Sequence, residues 1–117
     1  MTIEKKNIGS PIETRTFEHG KFEVVKLGRF TVGKATFQPG WKWSKSVKPI
    51  VKTESCQANH NFYMISGKMK VILNDGTEAE FGPGDVGFVP AGHDAWVVGN
   101  ETVVYLDFSA AETYAKK

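Results

Sequence analysis

The sequence predicts an all-β fold, a closed barrel or sandwich of short strands. Three observations predict it. At least eight short apolar or alternating runs follow one another at regular spacing, over about 90 residues. Twelve Gly and five Pro among 117 residues supply the turns between them. Helical character is confined to residues 110–117, one or two turns at the C-terminal end.

The first fifteen residues carry Gly9, Ser10 and Pro11 and no sustained periodicity, which reads as an arm or an edge strand. Phe22, Val24 and Leu27 form one run and Phe30, Val32 and Phe37 the next. Gly28 and Arg29 separate them, as in a hairpin. Gln38-Pro39-Gly40 stops the second strand. Residues 41–52 hold Trp41, Trp43, four lysines, Pro49 and no acid, the composition of a long loop or irregular edge segment.

Strand signals return at residues 61–65 and 68–73, divided by Ser66-Gly67. Asn74-Asp75-Gly76-Thr77 suits a tight type I′ hairpin, because Asp-Gly tolerates positive φ. Glu78 to Phe81 alternate polar and apolar, as a half-buried strand does. Gly82-Pro83-Gly84-Asp85 is a further turn, and residues 86–89 form a short strand ended by Pro90-Ala91-Gly92. Residues 96–98 and 102–108 are expected to pair with each other across Gly99-Asn100-Glu101. The chain thus divides into an arm or edge strand (1–20), a barrel (21–109) and a tail (110–117).

Composition removes several classes of function. Hydrophobic residues make up 40%, including eight Phe, three Trp and three Tyr, enough for a real core. The net charge of +2 is too small to imply nucleic acid, and no recognition helix is evident. A single cysteine, Cys56, cannot form an internal disulfide. No apolar run approaches the roughly 20 residues that cross a bilayer, and the polar start lacks a secretory signal, so cytoplasmic residence is expected. Nothing resembles a Gly-x-Ser-x-Gly elbow or a phosphate-cradling loop before a helix.

The segment Gly84-Asp85-Val86-Gly87-Phe88-Val89-Pro90-Ala91-Gly92 closely resembles the second motif of the cupins, a glycine, five residues, then Pro-x-Gly. His60 to Gly67 resembles the end of their first motif. Pro39-Gly40-Trp41-x-Trp43-Ser44, Val47-Lys48-Pro49, Ser55-Cys56-Gln57-x-x-His60 and Gly92-His93-Asp94-Ala95-Trp96 look like a subgroup of short single-domain bacterial cupins of the cupin-2 type. The resemblance implies a cupin jelly-roll β-barrel with a short C-terminal helical turn and a ligand or metal pocket inside. In the family the first motif reads His-x-His, three or four residues, Glu, six residues, Gly. Counting back from Gly67 places His60 at the glutamate and Glu54 and Cys56 at the two histidines. In the second motif Ala95 stands where the family has a histidine, two residues after His93.

Strand alternation tests whether these replacements still bind a metal. On a regular strand Glu54, Cys56 and His60 share a face, and His93 shares parity with Ala95. The expected ligands are therefore Glu54, Cys56, His60 and His93. This set of nitrogen, sulfur and oxygen donors suits a divalent transition metal, zinc first, then nickel, copper or iron. The plainer assignments are an apolar filler for Cys56, a hydrogen-bonded core residue for His60, a histidine exposed at the barrel mouth for His93, and an ion-pair partner of the lysine-rich segment for Glu54. Trp41, Trp43, Tyr63 and Trp96 are the expected ligand-binding wall, with core, lid or dimer contact as alternatives for the tryptophans. Tyr63, Tyr105 and Asp107 have strand parities compatible with an inward position, but the parity does not say which face each strand buries. Cys56 and His60 would lie about 13 Å apart on a strand, too far for proton transfer.

Three functions compete. One is a metal-holding pocket that binds or turns over a small molecule. The second is a metal-free binder or sensor of small organic acids, oriented by His60 and His93. In the third the barrel is mainly an assembly module, a homodimer in which the N-terminal arm adds a strand to its neighbour.

Overall fold

Alternating inward and outward side chains sort the chain into nine strands, seen in a computed structural model that describes residues 2–112 and 114–116. The strands are β1 (Glu13–Phe17), β2 (Gly20–Leu27), β3 (Phe30–Phe37), β4 (His60–Ser66), β5 (Lys68–Leu73), β6 (Glu78–Phe81), β7 (Val86–Val89), β8 (His93–Val98) and β9 (Val103–Asp107). A six-stranded sheet runs β1-β2-β3-β9-β4-β7, and a three-stranded sheet runs β6-β5-β8. Every strand pair is antiparallel. Inward side chains of both sheets meet in one core: Phe22, Phe37, Phe62 and Tyr105 from the large sheet, Met69, Val71 and Ala95 from the small one. This is the jelly-roll arrangement of an all-β fold.

Most local signals are realised. β2 and β3 pair from Gly20↔Phe37 to Leu27↔Phe30, so Gly28 and Arg29 form the two-residue turn. Gly67 lies where the chain leaves the large sheet for the small one. Its φ is +75°, and a Cβ there would come within 2.6 Å of the Thr102 carbonyl oxygen.

Three expectations are corrected. β8 and β9 do not pair: β8 joins β5 in the small sheet, whereas β9 inserts between β3 and β4. A connection short enough for a hairpin also serves to cross between sheets, and local sequence does not distinguish the two. The Asn74-Asp75-Gly76 turn is not type I′, because Gly76 alone of the three has positive φ. The Gly76 N–H donates to the Leu73 carbonyl and the Leu73 N–H to that of Thr77, which makes a three-residue connection with a left-handed glycine. Residues 41–52 hold two one-turn helices, α1 (Trp43–Ser46) and α2 (Lys48–Val51), rather than an irregular loop. Pro49 is tolerated in the first turn of α2, where its missing N–H has no partner to lose, and Lys52 at φ 61° ends it. Trp43 and Val47 are buried beneath these turns.

The C-terminal segment completes the core. Tyr114 donates its backbone N–H to the Ala110 carbonyl, which closes a turn. Ala110, Ala111 and Tyr114 are buried, and the Tyr114 ring lies 4.9 Å from that of Phe22. Among the described residues, no helix is long and apolar enough to cross a membrane.

Candidate metal centre

Cys56, His60 and His93 come together at one end of the core, their ligand atoms within 4.8 Å of one another and all three buried. Each is placed by a different piece of backbone. His60 opens β4 on the inward parity it shares with Phe62 and Met64. His93 opens β8 on the parity of Ala95. Cys56 precedes β4 and is bridged to β8: its N–H donates to the His93 carbonyl at 2.7 Å, and its own carbonyl accepts the Gly92 N–H at 2.6 Å. Cys56 lies outside β4, which begins at His60, and is bridged to β8 instead. Cys56 Sγ therefore sits 3.7 Å from His60 Nε2, not the 13 Å expected of a strand.

Both imidazoles are held through Nδ1. His93 Nδ1–H donates to the Pro90 carbonyl at 2.8 Å, and His60 Nδ1–H donates to Asp107 Oδ2 at 2.5 Å. A carbonyl and a carboxylate only accept, so both rings turn Nε2 toward the cluster. Burial pushes the Cys56 thiol up, but hydrogen bonds from His60 and His93, and their charges, bring it down to about 6. Burial likewise disfavours charge on His60, but Asp107 first and then Cys56 raise it to about 9. Both shifts favour the thiolate and imidazolium form of the pair when no metal is bound. Burial keeps the phenols of Tyr105 and Tyr114 protonated, well above their ordinary range.

The donor set fits a transition-metal ion. Two ligands on a tetrahedral zinc, one sulfur and one nitrogen, stand about 3.6 Å apart, and Cys56 Sγ and His60 Nε2 stand 3.7 Å apart. A thiolate and two imidazoles leave one coordination position open, as in catalytic rather than structural zinc sites.

The remaining expected residues divide. Trp41 and Trp43 are buried and line a small cavity of about 20 Å³ with His60, His93, Tyr105 and Tyr114. That volume admits about one water molecule. Glu54 is not in the site: its side chain is 99% exposed and pairs with Lys48 at 3.4 Å. The parity argument fails for it because the chain bends at residues 54 and 55. Tyr63 is not in the site either, being 43% exposed on the outer face of β4 beside Ile65, Val86 and Phe88. Trp96 has the parity opposite to His93 and Ala95, so it stands outside β8, where Lys42 Nζ lies 5.3 Å from its ring centroid.

Two contributors were not assigned a role from sequence. Asp107 is completely buried and orients His60; its signal is a carboxylate at the inward parity of an otherwise apolar strand. Tyr114 lines the cavity from the tail, with its ring centroid 5.4 Å from that of His60. The apolar spacing of Ala110, Ala111 and Tyr114 is its one local hint. Trp43 and Tyr114 also line an outer groove of about 280 Å³, so they form the wall between it and the inner cavity. Cys56 reaches that groove with Val47, Thr53 and Gln57.

Residues 26–106 match the family model of the EutQ-like cupin domain. No curated protein sequence matches the chain. A Rhizobium leguminosarum protein of unknown function superposes with a TM-score of 0.67 at 21% identity, over 93% of this chain and 97% of that one. The polyketide cyclase RemF of Streptomyces resistomycificus gives 0.64 at 17%, over 94% and 80%. Oxalate decarboxylase of Lactobacillus farciminis, in its formate complex, gives 0.62 at 20%, over 87% of this chain and 32% of the enzyme. This chain thus spans about a third of that decarboxylase's length. At such identities the likeness shows the fold.

Proposed function

The chain belongs to the EutQ-like cupin domain family, and from that premise we propose that it binds one divalent transition-metal ion through Cys56, His60 and His93 and presents it to a small molecule. One observation carries the reading: three buried donors converge, and both imidazoles are already held by their far nitrogens in the orientation a metal ligand requires. Zinc suits the set best, with copper, nickel and iron following. Bound there, the ion supplies Lewis-acid polarisation of a substrate oxygen. The chain's own residues do the rest. Asp107 holds the His60 ring, the Pro90 carbonyl holds that of His93, and the aromatic wall of Trp41, Trp43 and Tyr114 keeps bulk water out. The inner cavity is too small for an organic acid, so a substrate would reach the site from the outer groove, past Cys56.

Elemental mass spectrometry on untagged wild-type protein and on His60→Ala tests this reading. Near one ion per chain, lost in the variant, supports it. Protein that is metal-free as purified and takes up no ion at micromolar concentration sinks it.

A second reading has its own support. Cys56 Sγ, His60 Nε2 and Asp107 form a thiolate, imidazolium and carboxylate in sequence, and Cys56 is among the residues that line the groove. Without metal this arrangement acts as a nucleophile toward a small molecule bound there. Metal-free protein whose Cys56 is alkylated quickly at pH 7, and slowly in His60→Ala, would favour it.

A further inference from the structure

The cavity beside His60 and His93 is walled mostly by carbon, yet two hydrogen-bond donors in its lining residues have no partner. Trp41 is 2% exposed and Tyr114 is 4% exposed. Among the described residues, Trp41 Nε1 and the Tyr114 hydroxyl are buried side-chain atoms without a hydrogen bond. Both residues line the cavity. Neither ring is free to turn toward water. The Trp41 indole stacks on Phe37 at 3.8 Å, with the planes 2° apart. Tyr114 packs against Phe22 and His60, and its backbone carbonyl accepts a 2.7 Å bond from buried Arg15.

A buried donor without an acceptor is costly, and an indole N–H is a donor only. Whatever satisfies Trp41 must therefore accept. The cavity of about 20 Å³ gives the ligand its size, close to one water molecule. Its charge follows from what else faces the space. Among the described residues no Asp or Glu lines the cavity, and the two histidines have Nδ1 engaged elsewhere. Once their Nε2 lone pairs are committed to a metal ion, the remaining polar side-chain atoms of the described lining are the indole N–H groups of Trp41 and Trp43, which only donate, and the hydroxyls of Tyr105 and Tyr114, which can donate. We infer that this cavity is a site for a water-sized, acceptor-only anion, held between the Trp41 indole N–H and the Tyr114 hydroxyl.

The inference rests on the metal-site reading for the ligand's charge, but the donor pair can be tested separately. The probe is fluoride, an acceptor with no hydrogen to give, titrated at constant ionic strength into zinc-loaded and metal-free protein. The readout is the indole N–H resonance of Trp41, identified by its absence in Trp41→Phe. Zinc content is measured on the same samples. In zinc-loaded protein, fluoride is expected to move that resonance downfield and saturably. Tyr114→Phe, which removes one unpartnered hydroxyl and keeps the ring, is expected to weaken fluoride binding about five- to ten-fold, with zinc still near one per chain. A Trp41 resonance indifferent to fluoride while zinc is bound overturns the inference, as does Tyr114→Phe binding fluoride like the wild type. If no zinc binds, the metal reading fails on its own. The metal-free titration then decides the donor pair: a saturable Trp41 shift keeps it and silence overturns it.

Discussion

His60 and Asp107 meet across adjacent strands β4 and β9, with Nδ1 2.5 Å from Oδ2. The other carboxylate oxygen of Asp107 accepts the N–H groups of Ser109 at 2.9 Å and Ala110 at 2.8 Å. One buried side chain thus aims the imidazole and starts the C-terminal turn that brings Tyr114 into the core. Asp107→Asn keeps the size and removes the charge. Its metal affinity is expected to fall about 10- to 100-fold, as for other lost partners of ligating histidines. Competition with a coloured chelator measures it; an affinity equal to wild type would mean that Asp107 does not position His60.

The thiolate in metal-free protein gives a pH test. Cys56 is lowered from 9.0 to about 6 and His60 is raised from 6.5 to about 9. Ultraviolet thiolate absorbance is therefore expected to persist on acidification until pH falls through about 6. In His60→Ala the midpoint moves up toward the ordinary thiol value. A wild-type midpoint already near 9 would rule out the pair.

The same two shifts bear on stability with opposite signs. The Cys56 contribution is present above pH 9 and is lost as pH falls through 6. The His60 contribution is present below pH 6.5 and is lost as pH rises through 9. Between 6.5 and 9 folded and unfolded chains hold the same number of protons on this pair, one each. The melting temperatures of wild type and a Cys56→Ala/His60→Ala double variant are thus expected to run parallel across that window. A steep divergence would mean that only one of the two groups is shifted.

Glu54→Gln is expected to leave metal content, metal affinity and melting temperature as in wild type, because the carboxylate faces water. A lost or weakened metal would return Glu54 to the ligand set.

Gly67 and Gly76 both have positive φ, at 75° and 92°, but their surroundings differ. A Cβ at Gly76 meets nothing within 4 Å, whereas one at Gly67 meets the Thr102 carbonyl oxygen at 2.6 Å and Val103 Cα at 2.8 Å. Gly76→Ala is expected to cost about 1–2 kcal/mol of left-handed strain. Gly67→Ala adds overpacking of about 1–3 kcal/mol against backbone that cannot give. Urea unfolding of the two variants measures the difference, and equal midpoints would remove the steric argument for Gly67.

Much of this protein is legible locally. Strand alternation has a period of two and needs no knowledge of the partner, so the β2–β3 hairpin and the Gly82-Pro83-Gly84-Asp85 turn can be read directly. The same alternation puts His60 inward with Phe62, and His93 inward with Ala95. It misleads at Glu54 because parity carries no further than the strand that generates it, and β4 begins at His60. It also places Trp96 outside, for sequence proximity to His93 is not proximity in space on a pleated strand.

By itself the sequence determined an all-β fold of short strands with His60 and His93 as candidates for its interior, because side-chain alternation and turn chemistry are short-range properties of the chain; the jelly roll was what its resemblance to the cupins implied. The partners of those histidines were decided by tertiary structure alone. Asp107 lies 47 residues from His60 and becomes its neighbour only because β9 inserts beside β4. Cys56 reaches His93 only through a two-way backbone bridge to the start of β8. Tyr114 closes the cavity only after Asp107 has turned the tail inward. Such contacts depend on which strands pair and where the chain crosses between sheets, and that is settled by burying one shared core, which no local stretch of sequence contains.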